Sequence, residues 1–204
     1  MAVLINGING PFRGKAGSVV GYVDRYGQGI IRGLPRISKA RTQKQLDNQK
    51  RMKVAQQWLK PILPAVRIGF KNYSRKQHGF GSALSYLKLN AIREDFTVDP
   101  SRVLISWGDL PIPASPGVTQ IEPGILEFTW EPVENNNDHV MVVAHSDDLN
   151  FSYADLCGAT RRVGKQTLKC TTFGGHEADL YIAFITEERD RCSNSVYLGR
   201  MLIE

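Results

Sequence analysis

The spacing of hydrophobic positions changes twice along the chain. From residue 1 to about 40, short apolar stretches alternate with glycine: Val3-Leu4-Ile5, Val19-Val20-Gly21-Tyr22-Val23 and Ile30-Ile31 are set among glycines at 7, 10, 14, 17, 21, 27, 29 and 33. Glycine supplies the positive φ of tight turns and weakens helices, so this pattern predicts two or three short strands. Tyr26-Gly27-Gln28-Gly29 is the expected hairpin tip. Such short strands have too few partners among themselves, and they are expected to join a sheet elsewhere.

From Thr42 the glycines stop and the period becomes helical. Thr42 with Gln45 three positions on reads as a capping box, opening a helix to about Leu59. Pro61 and Pro64 must break it. A second helix is expected over Ala65 to about Tyr73. A third is expected from a Ser82 cap through Ala83, Leu84, Leu87, Ala91 and Ile92, whose spacing is i, i+3, i+4. After Asp99-Pro100 the pattern turns to strands. The runs are Val103 to Trp107, Ile125 to Trp130, Val140 to Ala144, Thr167 to Thr171, Leu180 to Ile185 and Ser195 to Ile203. About seven short strands in roughly 100 residues, with turn-rich links between them, is the pattern of an antiparallel sandwich that folds on its own. Trp107, Trp130 and Tyr181 are its expected aromatic anchors.

The predicted fold class is therefore α+β. A Gly-rich basic β-arm (1–41) and a helical segment (42–99) precede an antiparallel fibronectin- or immunoglobulin-like β-sandwich (100–204).

Charge sharpens this division. Residues 1–100 hold eighteen of the 26 Lys and Arg and five acids, net +13; residues 101–204 hold eight basic residues and fifteen acids, net −7. A dipolar chain of this kind meets nucleic acid, an anionic surface, or the acidic half of a second copy.

Enzymatic chemistry finds little footing. Gly10-Pro-Phe-Arg-Gly-Lys-Ala-Gly-Ser falls one residue short of a phosphate-binding loop, has Ala16 where Ser or Thr would hold magnesium, and leads into a strand instead of a helix. Ser193 and Ser195 lack the frame of a nucleophile elbow. Asp147-Asp148 and Glu187-Glu188 read as solvated turn tips. Cys157, Cys170 and Cys192 read as free thiols, and the four histidines show no metal spacing. No catalytic residue, cofactor, metal or small-molecule substrate is predicted. No apolar run reaches the roughly 18 residues of a membrane span. The opening Met1-Ala-Val-Leu-Ile-Asn has neither a basic n-region nor a sustained apolar h-region. Synthesis in the cytoplasm without a secretory leader is expected, with the virion or the cell surface as final locations to consider.

Three motifs together resemble an uncharacterised family of Bacteroidota and their phages. They are Gly14-Lys-Ala-Gly-Ser-Val-Val-Gly-Tyr, Thr42-Gln-Lys-Gln-Leu, and Tyr181-Ile-Ala-Phe with Ser193-Asn-Ser-Val-Tyr-Leu-Gly. The resemblance spans the chain and implies kinship without a reaction. The closing segment is similar to the last hairpin of a fibronectin type III sandwich.

These features together point to a structural protein that associates with copies of itself or with related subunits, as a ring, polymer or filament. The expected assembly residues are Val3, Leu4, Ile5, Arg13, Lys15, Val19, Val20 and Tyr22, acting by strand addition with the charged halves setting polarity. Two other readings stand beside it. One is a nucleic-acid-associated protein using the basic residues Arg32, Arg36, Lys39, Arg41, Lys44, Lys50, Arg51 and Lys53. The other is an adhesin-like module binding through its sandwich loops.

Overall fold

A computed structural model describes residues 2–4, 10–24, 26–34, 40–74, 77–134 and 136–204. The chain divides into two compact units, residues 1–43 and 44–204.

The first unit is a four-stranded antiparallel meander: β1 (Ala2–Leu4), β2 (Phe12–Ala16), β3 (Val19–Val23) and β4 (Gly29–Gly33), paired in chain order. This corrects the expectation that the apolar strands lack partners in their own zone. The missed strand is β2, Phe-Arg-Gly-Lys-Ala, whose glycine and two cations hide its β character. The glycine-lysine stretch that approached a phosphate loop is one arm of a tight hairpin, turned at Gly17 with φ +57°. The β3–β4 turn is closed by Asp24, whose Oδ1 accepts from the backbone N–H of Tyr26 and Gln28 at 2.9 Å each.

The second unit has three layers. α1 (Gln43–Leu59), α2 (Leu63–Gly69) and α3 (Gly79–Asn90) form a helical layer. The middle layer is a sheet of order β11-β10-β7-β8, from β7 (His139–Ser146), β8 (Phe151–Asp155), β10 (Glu177–Ile185) and β11 (Val196–Leu202). The outer layer is β5-β6-β9, from β5 (Gly117–Glu122), β6 (Ile125–Thr129) and β9 (Lys165–Lys169). The two sheets enclose Leu126, Phe128, Trp130, Val142, Leu180 and Phe184, all buried. Alternate residues of β7 and β10, Met141, Val143, Tyr181 and Ala183, point the other way. They share one core with Trp58, Leu59, Val66, Phe70 and Leu87 of the helical region. The helices thus complete a core that the strand pattern had assigned to an autonomous sandwich.

Several boundaries differ from the sequence expectation. Pro61 ends α1 as expected, but Pro64 lies in the first turn of α2, where its missing N–H costs nothing, so α2 starts at Leu63 and stops at Gly69. A side chain on Gly69 would run into the Ile105 carbonyl, so glycine lets the 103–108 segment pass close by. α3 starts at Gly79, with His78 and not Ser82 at its N-cap position. Val103–Trp107 is not a strand. It crosses as irregular chain, its N–H groups met by the Gly69 carbonyl and the Ser195 hydroxyl. Trp107 is 40% exposed and packs edge-on against Tyr73 at 5.1 Å instead of anchoring the sandwich, whereas Trp130 and Tyr181 are buried. β5 and β8, both edge strands, carry too few apolar residues to stand out in the sequence.

Candidate functional site

Residues 1–43 carry seven Lys and Arg against the single acid Asp24. Cross-strand partners in an antiparallel sheet point to the same face, so register sorts the side chains of the first unit. Val3 pairs with Arg13, Lys15 with Val20, and Val20 with Arg32, while Tyr22 pairs with Ile30. One face therefore gathers Val3, Arg13, Lys15, Val20, Tyr22, Ile30 and Arg32, and the Arg32 guanidinium lies 5.8 Å from the centre of the Tyr22 ring. The opposite face carries Leu4, Phe12, Ala16, Val19, Val23 and Ile31 among glycines, with no charged residue. The Phe12 ring covers Gly21 there, within 2.7 Å of where a Cβ would stand. Val3, Leu4 and Ile31 are each more than half exposed.

Of the residues expected to act in assembly, the sheet thus brings Val3, Arg13, Lys15, Val20 and Tyr22 to one face. Leu4 and Val19 lie on the other, and Ile5 is outside the described residues.

The residues of the expected basic surface are divided between the two units. Arg32 belongs to β4, Arg41 is exposed ahead of α1, and Arg36 and Lys39 are outside the described residues. On α1, Lys53 stands about 180° around the helix from Lys44 at the normal advance per residue. Arg51 is half-buried and donates to the Ile92 carbonyl at 3.4 Å. The Lys50 ammonium sits 4.1 Å from the centre of the Phe96 ring, with the Arg51 guanidinium at 5.6 Å. Two of the four helix cations therefore pin the 91–99 turn, where Phe96 adopts φ +68°.

The second unit gathers acids at one pole. The β5–β6 turn, the β7–β8 turn, the start of β10 and the end of β11 all lie there, because Glu177 pairs with Leu202, Ser146 with Phe151, and the Gln120 amide exchanges two hydrogen bonds with the Glu204 backbone. Exposed Glu122, Asp147, Asp148, Glu177 and Glu204 meet there from four separate stretches of chain, with Ile121, Leu202 and Phe151 each roughly half exposed. A shallow cleft of about 360 Å³ lies along Gln120–Pro123, Leu202 and Glu204.

Beneath this pole is a buried polar cluster. Asp179, 1% exposed, accepts from Arg200 Nε and Nη2 at 3.1 and 3.0 Å and from the Tyr197 hydroxyl at 2.8 Å. That contact holds the Arg200 guanidinium above its ordinary value, and burial pushes the Tyr197 hydroxyl up to about 12. Tyr181 donates to the Pro100 carbonyl at 2.9 Å, tying the helical layer's exit to the sheet. His145, fully buried, packs edge-on against Trp58 at 4.7 Å. Burial lowers its pKa, outweighing the opposing pull of Asp147 and Asp179. The cluster has the geometry of a structural clamp: Asp179 is matched by Arg200 and the Tyr197 hydroxyl, and Tyr197 and Arg200 border a shallow cleft of about 440 Å³ along residues 93–101.

The nucleophile candidates are likewise bound into backbone bridges. Ser193 Oγ accepts from the Phe184 N–H and donates to the Asn194 carbonyl, and Ser195 Oγ accepts from the Ile105 N–H. Burial raises the thiols of Cys170 to about 12 and Cys192 to about 11, leaving both protonated and inert at neutral pH. Among the described residues no three His, Cys, Asp or Glu side chains stand together as metal ligands, and no helix is long and apolar enough to cross a membrane.

The chain belongs to a family of unknown function, DUF6266, whose profile matches residues 11–199. Comparison with curated proteins gives no match. Among solved structures, the chain is similar to the fn3 domain of the human collagen alpha-1(XX) chain in solution (13% identity, TM-score 0.37, 46% of this chain and 84% of that one). It is also similar to the FN3 domain of human collagen XX in a crystal (14%, 0.38, 46% and 92%). A third likeness is to a computer-redesigned β-sandwich protein (17%, 0.36, 47% and 91%). Each likeness spans less than half of this chain.

Proposed function

We propose that the protein is a non-enzymatic structural subunit that associates head to tail through its N-terminal β-sheet and its complementary basic and acidic parts, in a phage virion or a bacterial fibre. The observation that carries this reading is the single-layer sheet β1–β4. It exposes Val3, Leu4 and Ile31 by more than half, whereas sheets of ordinary domains are covered on at least one face. Among the described residues its edge strands β1 and β4 pair with no further strand, and one face is basic while a pole of the second unit is acidic. A contact between unlike surfaces of identical subunits is heterologous and propagates into rings or filaments.

The test is light-scattering mass of the full chain and of residues 44–204 over a range of concentration and salt. The full chain is expected to form larger species while the truncated chain stays folded and monomeric. A full chain that is monomeric throughout overturns the reading. The nucleic-acid reading draws on the exposed Lys44, Lys50 and Lys53 of α1. Submicromolar oligonucleotide binding that persists at ~0.2 M salt would put it first, since purely electrostatic complexes lose orders of magnitude by then.

A further inference from the structure

The strand register and the sandwich topology together place two complementary surfaces that neither the sequence nor the family defines. We infer that the acidic pole of the second unit is the acceptor for the basic face of β1–β4 of another copy. This rests on the assembly reading above and names the two surfaces it would use.

The match has two components. The donor face sets Arg13, Lys15 and Arg32 around exposed Val3 and Tyr22. The acceptor sets Glu122, Asp147, Asp148 and Glu177 around exposed Ile121 and Leu202. Apolar side chains ringed by charge are the usual anatomy of a protein interface, with a dry centre and a polar rim. The signs are opposite, so approach is steered and wrong orientations are penalised. The acceptor is only partly neutralised from within: Glu177 pairs with Arg200 at 3.5 Å, and Arg200 also holds Asp179 by two shorter bonds, whereas Glu122, Asp147 and Asp148 form no ion pair among the described residues. Basic residues nearby are two among the described residues: Arg200, 46% exposed and lining the same cleft as Asp147, Asp148 and Glu177, and exposed Lys169 at the end of β9.

A second copy is favoured over a foreign partner because the same chain supplies both surfaces in equal number. The uncharged face of β1–β4 cannot take this role, since nothing on it answers the acids of the pole.

The experiment is a charge swap in the full chain. One variant carries Arg13→Glu, Lys15→Glu and Arg32→Glu; a second carries Glu122→Lys and Asp148→Lys; a third carries all five. All five side chains are on the surface, and unfolding midpoints check that each variant keeps its fold. Light scattering at ~0.05 M salt is expected to show association weakened about tenfold or more in each partial variant and restored in the combined one, because the swap recreates opposite signs. Association of the native chain should also weaken as salt is raised. Partial variants that associate as the native chain does, or a combined variant that fails to recover, overturn the assignment of these surfaces. In either case loss of association in residues 44–204 leaves the assembly reading standing, so the two ideas fail separately. As a second readout, Leu202→Asp should weaken assembly of the native chain without moving its unfolding midpoint, and no change there also counts against the acceptor.

Discussion

Two four-stranded antiparallel sheets among the described residues have opposite fates. In β11-β10-β7-β8 both faces are covered, one by the three-stranded sheet and the other by α1–α3, and β7 is buried at seven of its eight positions. Among the positions of β1–β4 whose burial is described, one, Gly21, is buried. The difference lies in side-chain supply. β7 and β10 read His-Val-Met-Val-Val-Ala and Leu-Tyr-Ile-Ala-Phe-Ile, with large apolar groups on both sides of the pleat. β2 and β4 read Phe-Arg-Gly-Lys-Ala and Gly-Ile-Ile-Arg-Gly, in which glycines and cations leave little to pack. A sheet of the first kind is a foundation; one of the second kind holds its shape through its ladder and turns, and its energetic contribution waits for whatever covers it.

The sharpest way to break this comparison is to strip a layer from the covered sheet. Residues 99–204 alone would expose Met141, Val143, Tyr181 and Ala183, and Tyr181 would lose Trp58, 6.4 Å away ring to ring. That fragment is expected to bind a hydrophobic dye and unfold without a cooperative transition, whereas residues 44–204 should unfold cooperatively. A cooperative fragment 99–204 would mean the helices are an ornament on the sandwich.

Point substitutions should sort the same way, with smaller effects. Phe184 packs edge-on against Trp130 at 5.5 Å and faces the Arg161 guanidinium at 4.2 Å. Phe184→Ala should cost about 3–5 kcal/mol in denaturant unfolding, the usual range for a buried aromatic. Ile31→Ser, at a position 63% exposed, should move the same transition by no more than ~0.5 kcal/mol. Equal effects at the two sites would show that β1–β4 is buried against something in solution.

The smallest expected effect is a pH dependence seated between α1 and the covered sheet. His145 faces Trp58 from α1 and, from its own sheet, Asp179, with Asp147 in the turn beyond β7. Because its folded pKa lies below the ordinary value of about 6.5, the two states differ in protonation only below that pH. Stability should be flat from pH 8 to 7 and decline as pH falls through about 6.5 toward 5, when the unfolded chain takes up a proton that the folded one refuses. Urea midpoints of the native chain and of His145→Phe across that range test it, and the slope should disappear in the variant. A slope that survives the substitution would assign the effect to another group.

Much of the fold could be read from the residues, and the reasons for the misses are physical. Five of the six strand runs read after residue 100 correspond to β6, β7, β9, β10 and β11. The sixth, Val103–Trp107, is as apolar as a strand, but it is held by Ser195 and Gly69 in place of a neighbouring ladder. The unbroken apolar runs of β7 and β10 are themselves the signal of a third layer: a strand apolar at successive positions is buried on both faces, and a seven-stranded sandwich covers only one. The source of that layer is α1–α3, with α1 contributing through its C-terminal Ala55, Trp58 and Leu59. The basic face of β1–β4 follows from alternation once β2 is recognised. The acidic pole does not follow from any local pattern, since Glu122, Asp147 and Glu177 are joined only by the sandwich topology.

The contact between Trp58 and Tyr181 also sets a schedule. During synthesis the helical layer is complete long before the strands it must cover exist, and about 120 further residues must be added before Tyr181 follows Trp58. At ordinary elongation rates of roughly 5–20 residues per second, that interval lasts on the order of 6–25 seconds. Until the sheet emerges, Trp58, Leu59, Val66 and Phe70 have only the rest of the helical region and the Val103–Ile105 stretch for company. The nascent chain is therefore at its most vulnerable in the middle of its own making, and a chaperone that shields apolar helices would find its substrate there.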